Sequence, residues 1–147
     1  MRERIMRLII GGYAQGKLTY VLKKLQEEGK RSYIIVDEDS AVPADLWKTQ
    51  AGDEPALDAV IVNHLHRILQ KADSQEQGLQ WIERAEAYCR DRDAELIIIC
   101  DELGCGVVPA VAEDREYRER VGRVLCEAAA RARSVERVVC GIGVPIK

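Results

Sequence analysis

No apolar run in this chain approaches the roughly 20 residues that a membrane-spanning helix needs, so no place in a bilayer is expected. The N-terminus carries no apolar stretch of signal-peptide length before a small-residue cleavage site, and MRERIMRLII reads as a charged lead-in to a strand. Surplus basic charge is missing too. With 22 Lys and Arg against 25 Asp and Glu the net charge is −3, which leaves no footprint for nucleic acid. The five cysteines (Cys89, Cys100, Cys105, Cys126 and Cys140) form no C-x-x-C pair, and their odd number argues against a disulfide framework. They stand mostly in apolar runs, so buried free thiols in a reducing cytoplasm are expected. Repeats, low-complexity tracts and linkers are lacking. Residues 1–147 are therefore expected to form one domain large enough to bury a core.

What is present is an alternation of short apolar runs and amphipathic stretches. That pattern predicts an α/β fold around a mainly parallel central sheet. Strands are expected at residues 6–10, 32–36, 59–62, 95–100 and 135–140. The fourth, ELIIIC, is apolar from Leu96 to Cys100, as in a strand covered on both faces. A helix is expected over residues 17–28, where Leu18, Val21, Leu22 and Leu25 repeat at helical spacing before Gly29. HLHRILQKA reads as a short helix, SQEQG as a break, and residues up to about 92 as a second helical stretch. Residues 40–58 and 101–109 read as loops, residues 114–132 as a helix, and GIGVPIK as a chain end.

The chemistry concentrates in GGYAQGKLTY, between the first strand and the first helix. Gly11, Gly16 and Lys17 fit the phosphate-binding pattern G-x-x-x-x-G-K-[S/T] at every position but the last. Glycines let backbone N–H groups wrap around phosphate oxygens, the helix N-terminus adds dipole charge, and Lys17 would neutralise the outer phosphates. The expected nucleotide-binding residues are Gly11, Gly12, Tyr13, Ala14, Gln15, Gly16, Lys17, Leu18 and Thr19. The hydroxyl that normally coordinates Mg²⁺ is replaced by Leu18. Thr19 follows one residue later, about 100° around the helix, and would reach a metal only in a shifted register.

Other candidates stand at the ends of strands, where open α/β sheets bind ligands. His64 and His66, the only histidines, follow the third strand. They read either as hydrogen-bonded turn residues or as a replacement nucleophile. Asp101 and Glu102 follow the fourth strand. They could position metal or accept a proton, or merely cap a loop. Asp37, Glu38 and Asp39 end the second strand, facing phosphate or solvent. Gly104 and Gly106 read as backbone-geometry residues, with Cys105 between them.

Four segments together carry a resemblance: RLIIGGYAQGK, ELGCGVVP, YRERVGRV and GIGVPIK. In this order they resemble the adenosylcobinamide kinase/adenosylcobinamide-phosphate guanylyltransferase family of cobalamin biosynthesis. That family has N-E-V-G-x-G-I-V-P, F-R-D-x-x-G-R-V-N-Q and S-G-I-G-V-K-I-K at the last three. The resemblance implies a phosphate-loop fold assembling as a homo-oligomer, a trimer. It implies ATP or GTP as substrate, cobinamide or another corrinoid as partner, and Mg²⁺ as cofactor. Two reactions come with it: phosphorylation of the cobinamide aminopropanol hydroxyl, then GMP transfer through a guanylylated histidine. Lys17, Asp101 and Glu102 become the candidate catalytic residues; Glu102 matches the family's Glu, and Asp101 replaces its Asn.

This chain departs from the family at four places. Ala14-Gln15 and Leu18 replace Arg-Ser and Ser in the loop. The helix carrying the guanylylated histidine is missing between VDEDS and AVPADLWKTQ. The Asp that ends the third strand is Asn63, which keeps a carbonyl oxygen for a metal and loses the charge. Leu125-Cys126 replace Asn-Gln on the late helix. Two readings follow: a reduced kinase, or a non-catalytic nucleotide- or corrinoid-binding relative.

Overall fold

A computed structural model describes residues 6–39, 56–103 and 111–147. Strands β1 (Met6–Gly11), β2 (Tyr33–Val36), β3 (Ala59–Val62), β4 (Glu95–Asp101), β5 (Ser134–Val139) and β6 (Ile142–Pro145) make one sheet in the order β2-β3-β4-β1-β5-β6. All pairs are parallel except β5 with β6. Helix α1 (Lys17–Glu27) covers one face; α2 (Leu65–Gln70), α3 (Gln75–Asp91) and α4 (Ala112–Arg131) cover the other.

The strand sequences explain this layering. Alternate residues of β4 enter two different cores: Leu96 and Ile98 join the cluster under α3 and α4, while Ile97 and Ile99 join the one under α1. A run apolar at every position is what two-sided burial requires. On α1, Val21 and Leu25 are buried, with Leu18 and Leu22 packed beside them. Gly29 follows at φ +75°, a left-handed backbone that ends the helix at low cost.

The chain leaves β1 for the β2 edge, then returns strand by strand and passes β1 to reach β5. With right-handed crossovers, this reversal puts α1 on the opposite face from the later helices. A crevice opens at the C-terminal end of β1, where the direction changes.

Three expectations need correction. SQEQG is not a break but the start of α3: Ser74 Oγ accepts the Gln77 N–H at 3.2 Å, and Gln77 Oε1 accepts the Asp73 N–H at 2.8 Å. Polar residues that looked like a linker are the helix cap. GIGVPIK is not a plain chain end, because it holds β6. Cys140 (φ 51°) and Gly141 (φ 77°) form a two-residue hairpin turn with both φ positive, and β6 folds back on β5. The thiols also divide: Cys89 and Cys100 are buried, whereas Cys126 and Cys140 are exposed. Cys126 sits on the outer side of α4 and Cys140 in the hairpin turn. Most of the expected 40–58 loop, together with Gly104, Cys105 and Gly106, lies outside the described residues.

No helix among the described residues is long and apolar enough to cross a membrane.

Candidate functional site

The loop after β1 is shaped by two close approaches. At Gly11 a Cβ would lie 2.5 Å from the Val138 carbonyl oxygen, so β1 meets β5 too tightly for any side chain there. Gly16 caps α1 at φ 81°, a backbone region that suits glycine. Ala14 also has a positive φ, 55°, and turns the loop without that freedom. Gln15 ties the loop to the β5–β6 turn. Its carbonyl accepts the Gly141 N–H at 2.8 Å and its Oε1 accepts the Cys140 N–H at 2.8 Å.

Below the loop lies a cleft of about 360 Å³, lined by Tyr13–Thr19 on one side and by Asn63, His64, Arg67, Ile99 and Asp101 on the other. The parallel register sets Gly11 beside Asp101, which brings the loop lysine to the end of β4. Lys17 is 6% exposed, with Nζ 2.7 Å from Asp101 Oδ1 and donating to the Gly12 carbonyl at 2.6 Å.

Asp101 is held from its other side by His66. The Asp101 N–H donates to His66 Nδ1 at 3.2 Å, which leaves the ring proton on Nε2, 3.5 Å from Asp101 Oδ2. Burial holds the His66 imidazole below its ordinary 6.5, with the Asp101 charge opposing, so the ring is neutral near pH 7. Tyr117 of α4 donates its hydroxyl to the His66 carbonyl and fixes α2 against α4. Cys100 Sγ lies 4.0 Å from His66 Nδ1, but burial pushes that thiol up to about 12. It is a protonated core residue, not a thiolate nucleophile.

A second charged group flanks the first. Glu38 Oε1 lies 2.8 Å from Arg67 Nη1, and Glu38 Oε2 lies 3.6 Å from His64 Nδ1. The Arg67 bond holds the Glu38 carboxyl below its ordinary value. Lys71 Nζ donates to the Glu38 carbonyl at 2.9 Å.

The cleft thus gathers the loop with Lys17, Asn63, Asp101 and His64, and brings Glu38 against its edge. Glu102 goes elsewhere. It forms a two-point pair with Arg137 of β5, Nε to Oε1 at 2.9 Å and Nη2 to Oε2 at 3.1 Å, and it does not line the cleft. Asp37 Oδ1 accepts the Asp39 N–H at 2.9 Å in a local turn. Arg67 went unnoticed in the sequence. Its signal was available: Leu65, Ile68 and Leu69 mark the buried face of α2, which turns Arg67 outward beside His64, three residues before it.

For a divalent cation the donor set is thin. Leu18 packs against the core beneath α1 and has no oxygen to offer. Thr19 and Asn63 line the cleft with neutral oxygens only, and both Asp101 oxygens already face cations or ring N–H. Mg²⁺ wants near-octahedral oxygen ligands with carboxylate charge among them. Among the described residues no group of three or more His, Cys, Asp or Glu could hold a metal ion. These residues do not fit Mg²⁺.

Comparison with known proteins bears on residues beyond the loop. The sequence pattern of the family described as cobinamide kinase / cobinamide phosphate guanyltransferase matches residues 19–146, starting just past Leu18. The bifunctional adenosylcobalamin biosynthesis protein CobU of Escherichia coli (strain K12) is 41% identical over 61 residues, 42% of this chain and 34% of that protein. The protein of the same description from Salmonella typhimurium is 31% identical over 117 residues, 74% of this chain and 65% of that protein. The chain therefore spans less than two thirds of the length of these relatives. The crystal structure of the RadB recombinase superposes with a TM-score of 0.46 at 15% identity, covering 92% of this chain and 74% of that one. With nearly its whole length matched by the family pattern, the chain belongs to the cobinamide kinase / cobinamide phosphate guanyltransferase family.

Proposed function

We propose that the chain binds ATP or GTP by its phosphates in the Gly11–Thr19 loop and carries out the kinase step of its family on cobinamide or a related corrinoid alcohol. The observation that supports this most directly is the chain of contacts Lys17–Asp101–His66 at the cleft floor. An incoming phosphate draws Lys17 off Asp101. The freed carboxylate, backed by the His66 Nε2–H, then accepts the proton of the acceptor hydroxyl. The hydroxyl oxygen bonds to the terminal phosphorus, the bridging P–O bond breaks, and the nucleoside diphosphate leaves with Lys17 beside its phosphates. Glu102, tied to Arg137, acts as a strut between β4 and β5.

Histidine-dependent guanylyl transfer does not belong to this proposal. The chain has two histidines, and His66 is buried and engaged on both ring nitrogens. The assembly we expect is a homo-oligomer, a trimer by the family resemblance, which light scattering on the purified chain measures.

Leu18 and Asn63 favour a second reading, a non-catalytic nucleotide- or corrinoid-binding relative. Incubation with cobinamide and ATP or GTP separates the two. Phosphorylated cobinamide above a Lys17→Ala control supports the kinase; tight nucleotide binding with no product supports the binder. Leu18→Ser adds a further arm. A gain of Mg²⁺ dependence in that variant alone would place the lesion at the missing hydroxyl.

A further inference from the structure

We infer that Arg67 clamps the outermost phosphate of the bound nucleotide, in the place a nucleotide-bound divalent metal would fill, so that the chain takes its nucleoside triphosphate without the metal. This rests on the reading that the loop binds nucleotide, and it adds the residue that replaces the cation.

The argument is one of charge. A triphosphate brings several negative charges into a cleft whose described cations are each paired with a carboxylate, Lys17 with Asp101 at 2.7 Å and Arg67 with Glu38 at 2.8 Å, and of the two the Arg67 side chain is the more exposed and keeps N–H donors to spare. Leu18 and Asn63 supply neither a hydroxyl nor a carboxylate through which a metal would be held. Among the described residues Arg67 is the other permanent cation lining that cleft, on the first turn of α2. It is 44% exposed, so phosphate can reach it. Its position is also fixed. Glu38 Oε1 holds Nη1 at 2.8 Å, and Lys71 anchors Glu38 through its backbone carbonyl at 2.9 Å. A guanidinium carries five N–H donors in a planar fork, of which that ion pair takes one. Such a fork suits two-point binding of a phosphate and stays charged at any physiological pH. Asp101 and Tyr13, both in the cleft wall, lie near enough to strengthen its positive form, behind Glu38 in effect. Lys17 and Arg67 line the same cleft, so a terminal phosphate held by the loop can bond to both, and the contribution of Arg67 discriminates triphosphate from diphosphate.

The test is calorimetric titration of the purified full chain with ATP, GTP and their diphosphates, once in EDTA and once with Mg²⁺. Wild type should bind the better triphosphate within about threefold under both conditions. Arg67→Ala should weaken triphosphate binding in EDTA by about 10- to 100-fold, the scale of one charged hydrogen-bonded contact, and diphosphate binding by less than about threefold. Arg67→Lys should fall between, because a point charge replaces a fork. Thermal melts of each variant confirm folding, which a partly exposed side chain should not disturb. The inference is overturned if wild type needs Mg²⁺ by more than about tenfold. It also fails if Arg67→Ala binds triphosphate in EDTA like wild type, or loses di- and triphosphate equally. Failure of the underlying reading has a different signature: wild type binds no nucleotide under either condition, or Lys17→Ala binds as well as wild type.

Discussion

Replacing Asp101 by Asn changes an oxygen for an amide nitrogen, keeps the shape, and removes the charge that holds Lys17. In the resting chain this pair is largely shielded, with side chains 6% and 13% exposed and 2.7 Å between charged atoms. A hydrogen bond between charged groups contributes about 1.5–3 kcal/mol. A phosphate that takes Lys17 must forfeit that contact, and it also approaches a carboxylate of its own sign. Asp101→Asn would remove both penalties, since an amide carbonyl offers Lys17 only a neutral acceptor. Triphosphate binding should tighten by about 10- to 100-fold, at 1.4 kcal/mol per decade. Turnover of cobinamide should fall in the same variant if Asp101 is the proton acceptor proposed above. Stability should drop by about 1–2 kcal/mol. That is less than the 3–5 kcal/mol for breaking a fully buried pair, because Lys17 keeps the Gly12 carbonyl and borders the cleft. Titration calorimetry gives the affinity, a phosphorylation assay the turnover, and urea unfolding the stability. Unchanged or weaker nucleotide binding would refute the argument, since it would mean that Asp101 does not restrain Lys17. Tighter binding with turnover intact would remove Asp101 from the proton transfer and leave it only a gate.

Two further outcomes follow from the geometry. Gly11→Ala should destabilise the chain by about 2–3 kcal/mol, because its Cβ meets backbone oxygen of β5 at 2.5 Å, whereas Gly12→Ala meets only the flexible Gln15 Cγ at 3.6 Å and should cost less than about 1 kcal/mol; urea midpoints in the reverse order would sink this account of the loop. His66 is held below its ordinary 6.5 in the folded chain, so the unfolded chain binds the extra proton first. Stability from this group is complete above about pH 6.5 and is lost as pH falls below it, with a slope of at most about 1.4 kcal/mol per unit. The carboxyls of Glu28, Glu38 and Asp58, held low by their partners, lose their contribution only below their own ordinary values of 4.5, 4.5 and 3.8. Urea titrations between pH 7.5 and 5 should therefore show a decline that His66→Asn flattens, and an equal slope in both proteins would contradict it.

How much of this was readable in advance depended on whether the cause is local. The central strands β1, β3 and β4 were legible because burial on both faces leaves them apolar at most positions, and α1 because its apolar residues repeat every three to four. β6 was not, because it is an edge strand with Ile142 and Val144 exposed, so no burial pattern marks it. Its turn is Cys-Gly instead of the Asn-Gly that advertises a hairpin. The start of α3 was misread because a capping Ser and a polar linker Ser look alike until their N–H partners are known. The loop could be found from its spacing alone. The contact between Lys17 and Asp101 could not, since it depends on β4, rather than any other strand, lying beside β1 in the register that sets Gly11 against Asp101. Arg67 and Glu38 meet for a similar reason: β2 and β3 pair, so their ends project to the same place.

That register also reinterprets the departures from the family pattern. The family's Asp at the end of the third strand is Asn63 here, and the family's Asn at the end of the fourth is Asp101. The two changes leave the number of carboxylates at this end of the sheet the same and move one to the neighbouring strand and further toward its C-terminal end, since Val62 already stands opposite Ile98. At the end of β3 a carboxylate would face a metal held by the loop hydroxyl. At the end of β4 it lies against Lys17 and His66. The missing hydroxyl at Leu18 fits this arrangement, because the carboxylate here pairs with Lys17 and faces His66 instead of standing free for a metal. If Leu18, Asn63 and Asp101 act as one unit, their reversions should not be additive. Reverting them singly should restore little, whereas Leu18→Ser, Asn63→Asp and Asp101→Asn combined should bring back Mg²⁺-dependent nucleotide binding. If the triple variant binds nucleotide as indifferently to Mg²⁺ as the wild type is expected to, the three substitutions are independent and the relocation argument is wrong.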